Sequence, residues 1–204
     1  MFVPRILRRS CKIKLLTFVL LLIISLPHFS CVFYAVPGND FSVTIKNFGQ
    51  INKSYYRGSQ PKAADFAALR KLGIRTVIDL QKNGSEQETD WVQDAGMRFF
   101  RIPLSASRPA TAEQTEYFLK LVSDPNYWPV YVHCAAGRHR TGAMTAIYRI
   151  TFDHWTADQA YEEMKKYGFF PFLNHGSLKD YVFKYYRNHA EAVGKSGLDL
   201  HKTD

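Results

Sequence analysis

Apolar and polar positions along the chain follow two alternating patterns, one typical of strands and one typical of helices. Short runs rich in β-branched and aromatic residues predict strands, whereas longer runs with an apolar face, a capping residue before them and a glycine after them predict helices. The predicted strands cover residues 42–46, 54–57, 74–80, 97–104 and 130–134. The predicted helices cover residues 61–72, 86–95, 111–123, 140–152, 156–167 and 177–190. This order predicts an α/β fold with a central, mostly parallel sheet flanked by helices.

A different pattern opens the chain. Residues 15–36 carry no charged side chain, and five basic residues without any acid precede them: Arg5, Arg8, Arg9, Lys12 and Lys14. A membrane-spanning helix needs roughly 20 apolar residues, and a basic flank before an apolar run is also the plan of a secretory signal peptide. The pattern therefore predicts an N-terminal hydrophobic helix that is either an uncleaved anchor or a cleaved signal. The rest of the chain is then extracytoplasmic, in a single-pass membrane protein or in a secreted or periplasmic one.

Composition separates this segment from the rest. The 204-residue chain has 27 Lys+Arg against 18 Asp+Glu, a formal net charge of +9, and 46% hydrophobic residues. Without the five N-terminal basic residues the balance is 22 against 18, or +4, which disfavours a nucleic-acid partner for the folded part. The hydrophobic content excludes general disorder. We therefore divide the chain into a basic N-terminus with anchor or signal (1–37), one folded domain (38–192) and a loose tail (193–204).

The stretch from His133 to Gly142 reads HCAAGRHRTG and lies between a predicted strand and a predicted helix. In that place, backbone N–H groups and the positive end of the helix dipole form an anion site. Gly137 permits a sharp turn, and the planar fork of Arg140 can clasp two oxygens of a tetrahedral anion. Cys134 begins the loop, where this positive field would stabilise a thiolate. A thiolate beneath a bound phosphate is a nucleophile directed at phosphorus.

This stretch resembles the signature of the cysteine-dependent protein tyrosine phosphatase superfamily: His-Cys, five residues, then Arg followed by Ser or Thr. The flanking motifs occur in the order seen in its atypical dual-specificity branch. They are YRGSQP (56–61), TVIDL (76–80), IPL (102–104) and PVYVHC (129–134). The resemblance covers roughly residues 45–185, and it implies that residues 38–192 are a phosphatase domain with the fold predicted above.

The resemblance implies a role for each loop residue. Cys134 attacks phosphorus and becomes a phosphocysteine, Thr141 hydrogen-bonds the thiolate as it leaves, and His133 positions the cysteine. The phosphate is bound by the Arg140 guanidinium and by backbone N–H groups of Ala135, Ala136, Gly137, Arg138, His139 and Arg140. Asp79 is a supporting residue, either catalytic or a hydrogen-bonded turn aspartate. No metal or other cofactor is expected, because Arg140 and the helix dipole supply the positive field.

The same resemblance exposes a missing general acid. The superfamily usually carries an aspartate on the loop after the strand that ends here at Leu104, and residues 105–110 contain no acid. Glu113 is the nearest carboxylate, and it is either the acid or a first-turn charge that favours the helix capped by Thr111. The enzyme then either prefers substrates with good leaving groups or takes its acid from elsewhere, such as Glu113 or Asp79. Arg57 either contacts phosphate or forms a surface salt bridge.

The sequence leaves the substrate open. Arg138 and His139 make the loop similar to that of family members that act on phosphoinositides or inositol phosphates, and a phosphotyrosine or phosphoserine/threonine protein also fits. The expected partners are such a substrate and a membrane through residues 15–36, without nucleic acid. Two alternatives from other classes are a phosphate-binding pseudophosphatase without turnover and a membrane-tethered thiol oxidoreductase. The second is disfavoured, because Cys134 has no resolving cysteine in the predicted domain.

Overall fold

The computed structural model describes residues 43–172 and 175–199, with side chains described up to Val193. The chain divides into two units, Met1–Asp40 and Phe41–Asp204, and every element below belongs to the second. The strands are β1 (Gly49–Asn52), β2 (Tyr55–Ser59), β3 (Thr76–Gln81), β4 (Arg98–Leu104) and β5 (Val130–Cys134). The helices are α1 (Asp65–Lys71), α2 (Glu88–Asp94), α3 (Ala112–Ser123), α4 (His139–Phe152), α5 (Ala157–Lys166) and α6 (Gly176–Asp199). A short 3₁₀ helix (Pro125–Tyr127) links α3 to β5.

The five strands form one mixed sheet in the order β1-β2-β5-β3-β4. β1 pairs antiparallel with β2, whereas the other neighbours are parallel. The predicted α/β fold with a mostly parallel sheet and flanking helices is confirmed for the described residues. Parallel strands present their carboxyl ends at one edge of a sheet, where α/β proteins place their ligand sites. Because β5 lies in the middle of the sheet, Cys134 stands at the centre of that edge.

Helices cover both faces of the sheet. One face packs against α1 and α2 through a cluster that contains Phe66, Leu69 and Val92. The other face packs against α3 and α4 through a cluster that contains Phe118, Met144 and Tyr148. A third cluster joins α4 to α5 and α6. α4 therefore lies between the sheet and the outer helices, as its apolar residues on nearly every side predict.

The largest differences between the structure and the sequence prediction concern the first strand, the start of α1 and the end of α6. The predicted strand at residues 42–46 is absent from the part described here (43–46), because Ile45 packs into the α1–α2 cluster and Asn47 turns the chain with a φ of 54°. The first strand follows instead at β1. Helix α1 begins at Asp65 rather than at residue 61, and the Asp65 carboxylate accepts a hydrogen bond from the Lys62 backbone N–H (2.7 Å). Helix α6 continues to Asp199, well past the predicted end near residue 190.

The predicted membrane location is corrected. Within residues 43–172 and 175–199, no helix combines the length and the apolar character needed to cross a bilayer. The predicted span, residues 15–36, and the N-terminal hydrophobic helix lie outside the described residues. The described residues therefore do not support a single-pass membrane protein or a membrane partner.

Candidate active site

Cys134 is the last residue of β5 and is buried, with 3% of its surface exposed. Residues 135–138 form the loop that follows it, and α4 begins at His139. The loop therefore connects the central strand to the N-terminus of the central helix. The partial positive charge of a helix N-terminus favours an anion at this point. The sequence prediction placed the anion site at this strand–loop–helix junction.

Three carbonyl groups of the loop are bound by residues from the β1–β2 side. The Asn47 side chain donates to the Ala136 carbonyl (2.8 Å), the Gln60 backbone N–H to the Ala135 carbonyl (3.3 Å), and the Arg57 guanidinium to the Gly137 carbonyl. In a trans peptide the carbonyl and the N–H point in opposite directions. With these carbonyls turned toward β1 and β2, the N–H groups of the following residues face the opposite side of the loop. That side is the one on which a phosphate would sit.

Gly137 is required for the shape of this loop. Its φ of +66° is in the left-handed region, and a Cβ there would lie 2.5 Å from the carbonyl carbon of Gly58 and 2.7 Å from the backbone nitrogen of Ser59. The loop thus rests on the backbone of β2 itself. Only glycine permits both the conformation and the contact.

His133, immediately before the cysteine, is fully buried beside two carboxylates. Its Nε2 lies 2.9 Å from Glu88 Oε1, and its Nδ1 lies 3.9 Å from Asp79 Oδ1. Neither ring nitrogen makes a hydrogen bond among the described residues, so the 2.9 Å distance to Glu88 is a close contact rather than a directed bond. Arg101 completes the group, with its Nε 2.9 Å from Asp79 Oδ2 and its Nη2 3.8 Å from Glu88 Oε2. The group holds the strand that carries Cys134.

Asp79, Glu88 and His133 are also a group of described residues that could hold a metal ion, because one ligand atom from each lies within 4.8 Å of the others. Arg101 argues against that use. Its guanidinium contacts both carboxylates and supplies the positive charge that a metal would bring. Asp79 also accepts a hydrogen bond from the Gln81 backbone N–H (2.9 Å), so its carboxylate is occupied by structural contacts.

The other predicted loop residues are Arg138, which ends the loop, and His139, Arg140 and Thr141, which lie in the first turn of α4. Thr141 is fully buried, whereas Arg140 is partly exposed and Arg138 is exposed. The His139 ring stacks on the His175 ring with centroids 3.7 Å apart. Burial, together with the nearby His175 and Arg138, lowers the pKa of His139 to about 4, so its ring is neutral at pH 7.

Residues 105–110, where the family usually has its acid, are tied to the start of α6. The His175 Nδ1–H donates to the Ala106 carbonyl (2.9 Å), and the Ser177 hydroxyl donates to the Ser107 carbonyl (2.6 Å). Thr111 then caps α3 through a reciprocal capping box with Gln114. The loop is anchored at both ends by side chains, and it has no carboxylate of its own.

Glu113 lies fully exposed in the first turn of α3. A hydrogen bond with Thr111, followed by its own backbone N–H, lowers the pKa of Glu113. A general acid needs the opposite shift, toward the working pH. The geometry thus supports the alternative that Glu113 is a first-turn charge, while its role as the acid stays a prediction.

Sequence reasoning left the role of Arg57 open between two alternatives and missed two other residues of the site, Glu88 and Arg101. Arg57 is fully buried, so its interpretation as a surface salt bridge is wrong. Glu88 and Arg101 were not singled out, although they surround His133. The sequence held one signal that Arg57 is buried. Arg57 lies two residues after Tyr55 in β2, and alternate residues of a strand face the same side of the sheet, so Arg57 shares the buried face of Tyr55.

Comparison with known proteins identifies this arrangement. Residues 29–175 match the family described as "DSP-PTPase phosphatase fused to NAD+ Kinase", over more than half of the chain. The chain belongs to this family. Its membership in the dual-specificity phosphatase family confirms the resemblance carried by the loop and its flanking motifs.

The chain shares only about a fifth to a third of its residues with individual phosphatases over the aligned regions. The dual specificity protein phosphatase TpbA of Pseudomonas aeruginosa is 32% identical over 123 residues, which are 60% of this chain and 55% of TpbA. The inositol diphosphatase SIW14 of Saccharomyces cerevisiae is 22% identical over 130 residues, which are 61% of this chain and 46% of SIW14. The chain therefore spans about half the length of these two relatives.

Solved structures agree on the fold. The crystal structure of TpbA superposes with a TM-score of 0.60 at 27% identity, and covers 73% of this chain and 93% of that chain. The core catalytic domain of SIW14 superposes with a TM-score of 0.62 at 19% identity, and covers 75% of this chain and 93% of that chain. At that identity the likeness to SIW14 shows the fold alone.

Proposed function

We propose that this protein is a metal-independent phosphatase that hydrolyses phosphate monoesters through a phosphocysteine intermediate. One observation carries the proposal: Cys134 is buried at the carboxyl end of β5, and the loop that leads to α4 turns three carbonyls away from the anion side. The opposed N–H groups and the helix N-terminus then concentrate positive charge around the sulfur. Membership in a phosphatase family and the named activities of TpbA and SIW14 support this reaction class.

The reaction proceeds in two displacements. The Cys134 thiolate attacks phosphorus, the S–P bond forms, and the P–O bond to the leaving group breaks. Arg140 and the loop N–H groups stabilise the charge on the three equatorial oxygens. Water then attacks phosphorus and loses a proton to solvent or a base. The new P–O bond forms, the S–P bond breaks, and inorganic phosphate and the Cys134 thiolate are released. Thr141 donates a hydrogen bond to the departing thiolate.

The leaving group limits the substrate. Since residues 105–110 carry no carboxylate, the alcohol must leave with little help from protonation. A tyrosine phenol has a pKa of about 10 and leaves far more readily than the aliphatic alcohol of serine or threonine. The phosphate displaced from a phosphoanhydride leaves more readily still, whereas an inositol hydroxyl is an aliphatic alcohol like that of serine. We therefore propose phosphotyrosine proteins and inositol pyrophosphates as the substrate classes, ahead of phosphoserine and phosphothreonine. Phosphoinositides and simpler inositol phosphates gain nothing from the leaving-group argument, and their support is the positive charge of Arg138 in the loop.

The names of the relatives support both classes. TpbA is named a dual specificity protein phosphatase and has a crystal structure in complex with pTyr. SIW14 is named an inositol diphosphatase. The partner proposed for this chain is accordingly a phosphorylated protein or an inositol phosphate.

A pseudophosphatase is the second candidate function, and the state of Glu113 favours it. If neither the 105–110 loop nor Glu113 can protonate a leaving group, phosphate binding persists while turnover is lost.

Turnover of the full-length chain separates the two candidates. We expect it to release phosphate from p-nitrophenyl phosphate, and vanadate to inhibit the release. Parallel assays with a phosphotyrosine peptide, a phosphoserine peptide, a phosphoinositide and an inositol pyrophosphate rank the substrate classes. Phosphate binding without any release from these five compounds would establish the pseudophosphatase, and a faster rate on phosphoserine than on phosphotyrosine would contradict the leaving-group argument.

The role of Glu113 has its own test. Because its pKa is lowered, we expect Glu113 to be ionised at neutral pH and unable to donate a proton. Glu113→Gln should therefore leave kcat and the basic limb of the pH–rate profile unchanged, rather than cause the roughly 10²–10⁴-fold loss that removal of a general acid produces. The measurement is kcat against pH for phenyl phosphate, a poor leaving group. Loss of the basic limb would assign Glu113 as the acid.

A further inference from the structure

Arg57 lies on the same face of the sheet as Cys134, one strand away. β2 and β5 are parallel neighbours, with Ser59 opposite Cys134 and Arg57 opposite Val132. Alternate residues of a strand share a face, and Tyr55, two positions before Arg57, points to α4, where its hydroxyl meets Thr145 (3.1 Å). Arg57 therefore projects into the layer between the sheet and the helices, beneath the phosphate loop.

The guanidinium has few partners in this layer. Arg57 has no exposed surface, donates to the Gly137 carbonyl, and lies with its Cζ 3.9 Å from the centre of the Tyr167 ring. Its Nε and Nη1 are buried and have no hydrogen-bond partner among the described residues. Glu163, the acid of α5 that acts on Arg57 electrostatically, is instead bound to Arg149 at 2.7 Å. Arg57 is thus a buried cation without a carboxylate partner in the described part of the chain.

A buried guanidinium such as that of Arg57 is stabilised by a nearby anion. Burial lowers the pKa of Arg57, but a guanidinium starts so high that it stays protonated in a protein. An unpaired ion in a protein interior is strongly destabilising. The anions that the proposed chemistry brings to this place are the Cys134 thiolate and the bound phosphoryl group. Each would offset the cost of burying the Arg57 charge.

We propose that Arg57 is a positioning residue of the active site, which acts in two ways on the proposed phosphatase chemistry. It holds the Gly137 carbonyl toward β2, so that the loop N–H groups face the phosphate, and its buried charge stabilises the Cys134 thiolate and the bound anion. The Tyr167 ring orients the guanidinium by a cation–π contact. This inference rests on the function proposed above.

The pH dependence of Cys134 alkylation tests the electrostatic part. Iodoacetamide reacts with thiolates, and mass spectrometry of the Cys134 peptide isolates this residue from the other two cysteines in the sequence. In Arg57→Met, we expect the midpoint of the alkylation profile to move upward by ~1 pH unit, the lower end of the shift that a nearby opposite charge produces. Arg57→Lys, which keeps the charge, should move it less.

The matched control is Arg75→Met. It removes the same charge from an exposed side chain just before β3, at the opposite end of the parallel strands, and should leave the profile unchanged. The other titratable or charged groups around the pair are Tyr55, Tyr131, Glu163, Tyr167, Arg138, His139 and Arg140, together with His133 and the two carboxylates beside it, Asp79 and Glu88. These three variants alter none of them. The shift, if seen, therefore belongs to Arg57.

Activity and binding test the positioning part. In Arg57→Met we expect kcat/KM for p-nitrophenyl phosphate to fall about 10-fold at a pH below the alkylation midpoint, where ~1 pH unit is one factor of ten in thiolate. The inhibition constant of inorganic phosphate should rise, because the loop N–H groups lose the contact that orients them and the bound anion loses a buried cation. Tyr167→Leu keeps Arg57 but removes the ring, and should lower kcat/KM by a smaller factor. Melting curves verify that each variant is folded. If Arg57→Met does not fold, Arg57→Lys and Tyr167→Leu carry the test.

The outcomes separate this inference from the proposed function. An alkylation midpoint in folded Arg57→Met that equals the wild-type value overturns the electrostatic role, and unchanged kcat/KM in all three Arg57 and Tyr167 variants overturns the positioning role. A wild-type chain that never releases phosphate overturns the proposed function instead. Alkylation does not require turnover, so the two failures are distinguishable.

Discussion

We expect Cys134→Ser to abolish the hydrolysis of p-nitrophenyl phosphate by the full chain. A serine hydroxyl is not ionised at neutral pH, and the positive field at the start of α4 cannot make it a nucleophile comparable to a thiolate. We expect kcat to fall by at least about 10⁴-fold, the size of effect that removal of a covalent nucleophile has elsewhere. The loop itself is unchanged, so a phosphotyrosine peptide should still bind with nearly wild-type affinity. Stopped assays over hours and isothermal titration with the peptide measure the two quantities.

The two other cysteines give the matched control. The double variant Cys11→Ser, Cys31→Ser changes the same atoms elsewhere in the sequence and should keep full activity. Turnover of Cys134→Ser near the wild-type rate would refute the phosphocysteine mechanism. Loss of peptide binding together with loss of turnover would show that Cys134 maintains the loop rather than attacks phosphorus.

Gly137→Ala disables the loop by a different route. An alanine there must adopt a φ near +66°, which costs about 1–2 kcal/mol, and its Cβ would lie 2.5 Å from the Gly58 carbonyl carbon. The obstructing atoms belong to the β2 backbone and cannot rotate away as a side chain could. The loop must therefore move off β2, and its hydrogen bond from Arg57 is lost. We expect kcat/KM to fall by about 10²-fold or more, since a displacement of 1 Å can cost that factor, together with a lower melting temperature.

Gly73→Ala isolates the conformational cost. Gly73 follows α1 with a φ of +88°, and nothing lies within 4 Å of a Cβ added there. This variant should lose about 1–2 kcal/mol of stability and retain wild-type kcat/KM. If Gly137→Ala behaves like Gly73→Ala, the contact with β2 does not shape the site.

Local signals predicted most of the fold. The capping boxes of α3 and α5 involve residues three positions apart, Thr111 with Gln114 and Thr156 with Gln159, so a single sequence window contains both partners. The buried β5 is likewise visible in its own apolar residues. The first strand was misplaced because Val43 and Ile45 alternate like a strand, while the backbone turn at Asn47 is set by tertiary packing.

The site was predictable only as far as the loop itself extends. Residues 133 to 141 predict the end of a strand, a turn and the start of a helix within one continuous stretch. Arg57 and Gly137 are separated by 80 positions, and the contacts of His133 with Glu88 and of Asp79 with Arg101 likewise join distant segments. No periodicity encodes such pairs, because they exist only once β2, β3, β4 and β5 lie side by side. The general acid stays unidentified for a related reason: the usual position has no carboxylate to mark it.

The contact between Gly58 and Gly137 also bears on how ligands arrive. Because the loop rests directly on a strand of the sheet, its backbone becomes ordered when the sheet forms. Binding of an oxyanion then carries little further entropic cost for ordering the loop. An oxyanion should thus enter a site whose shape hardly changes, so the association rate is governed by diffusion and charge rather than by rearrangement. For the same reason, oxyanions of different size should differ mainly in how fast they leave.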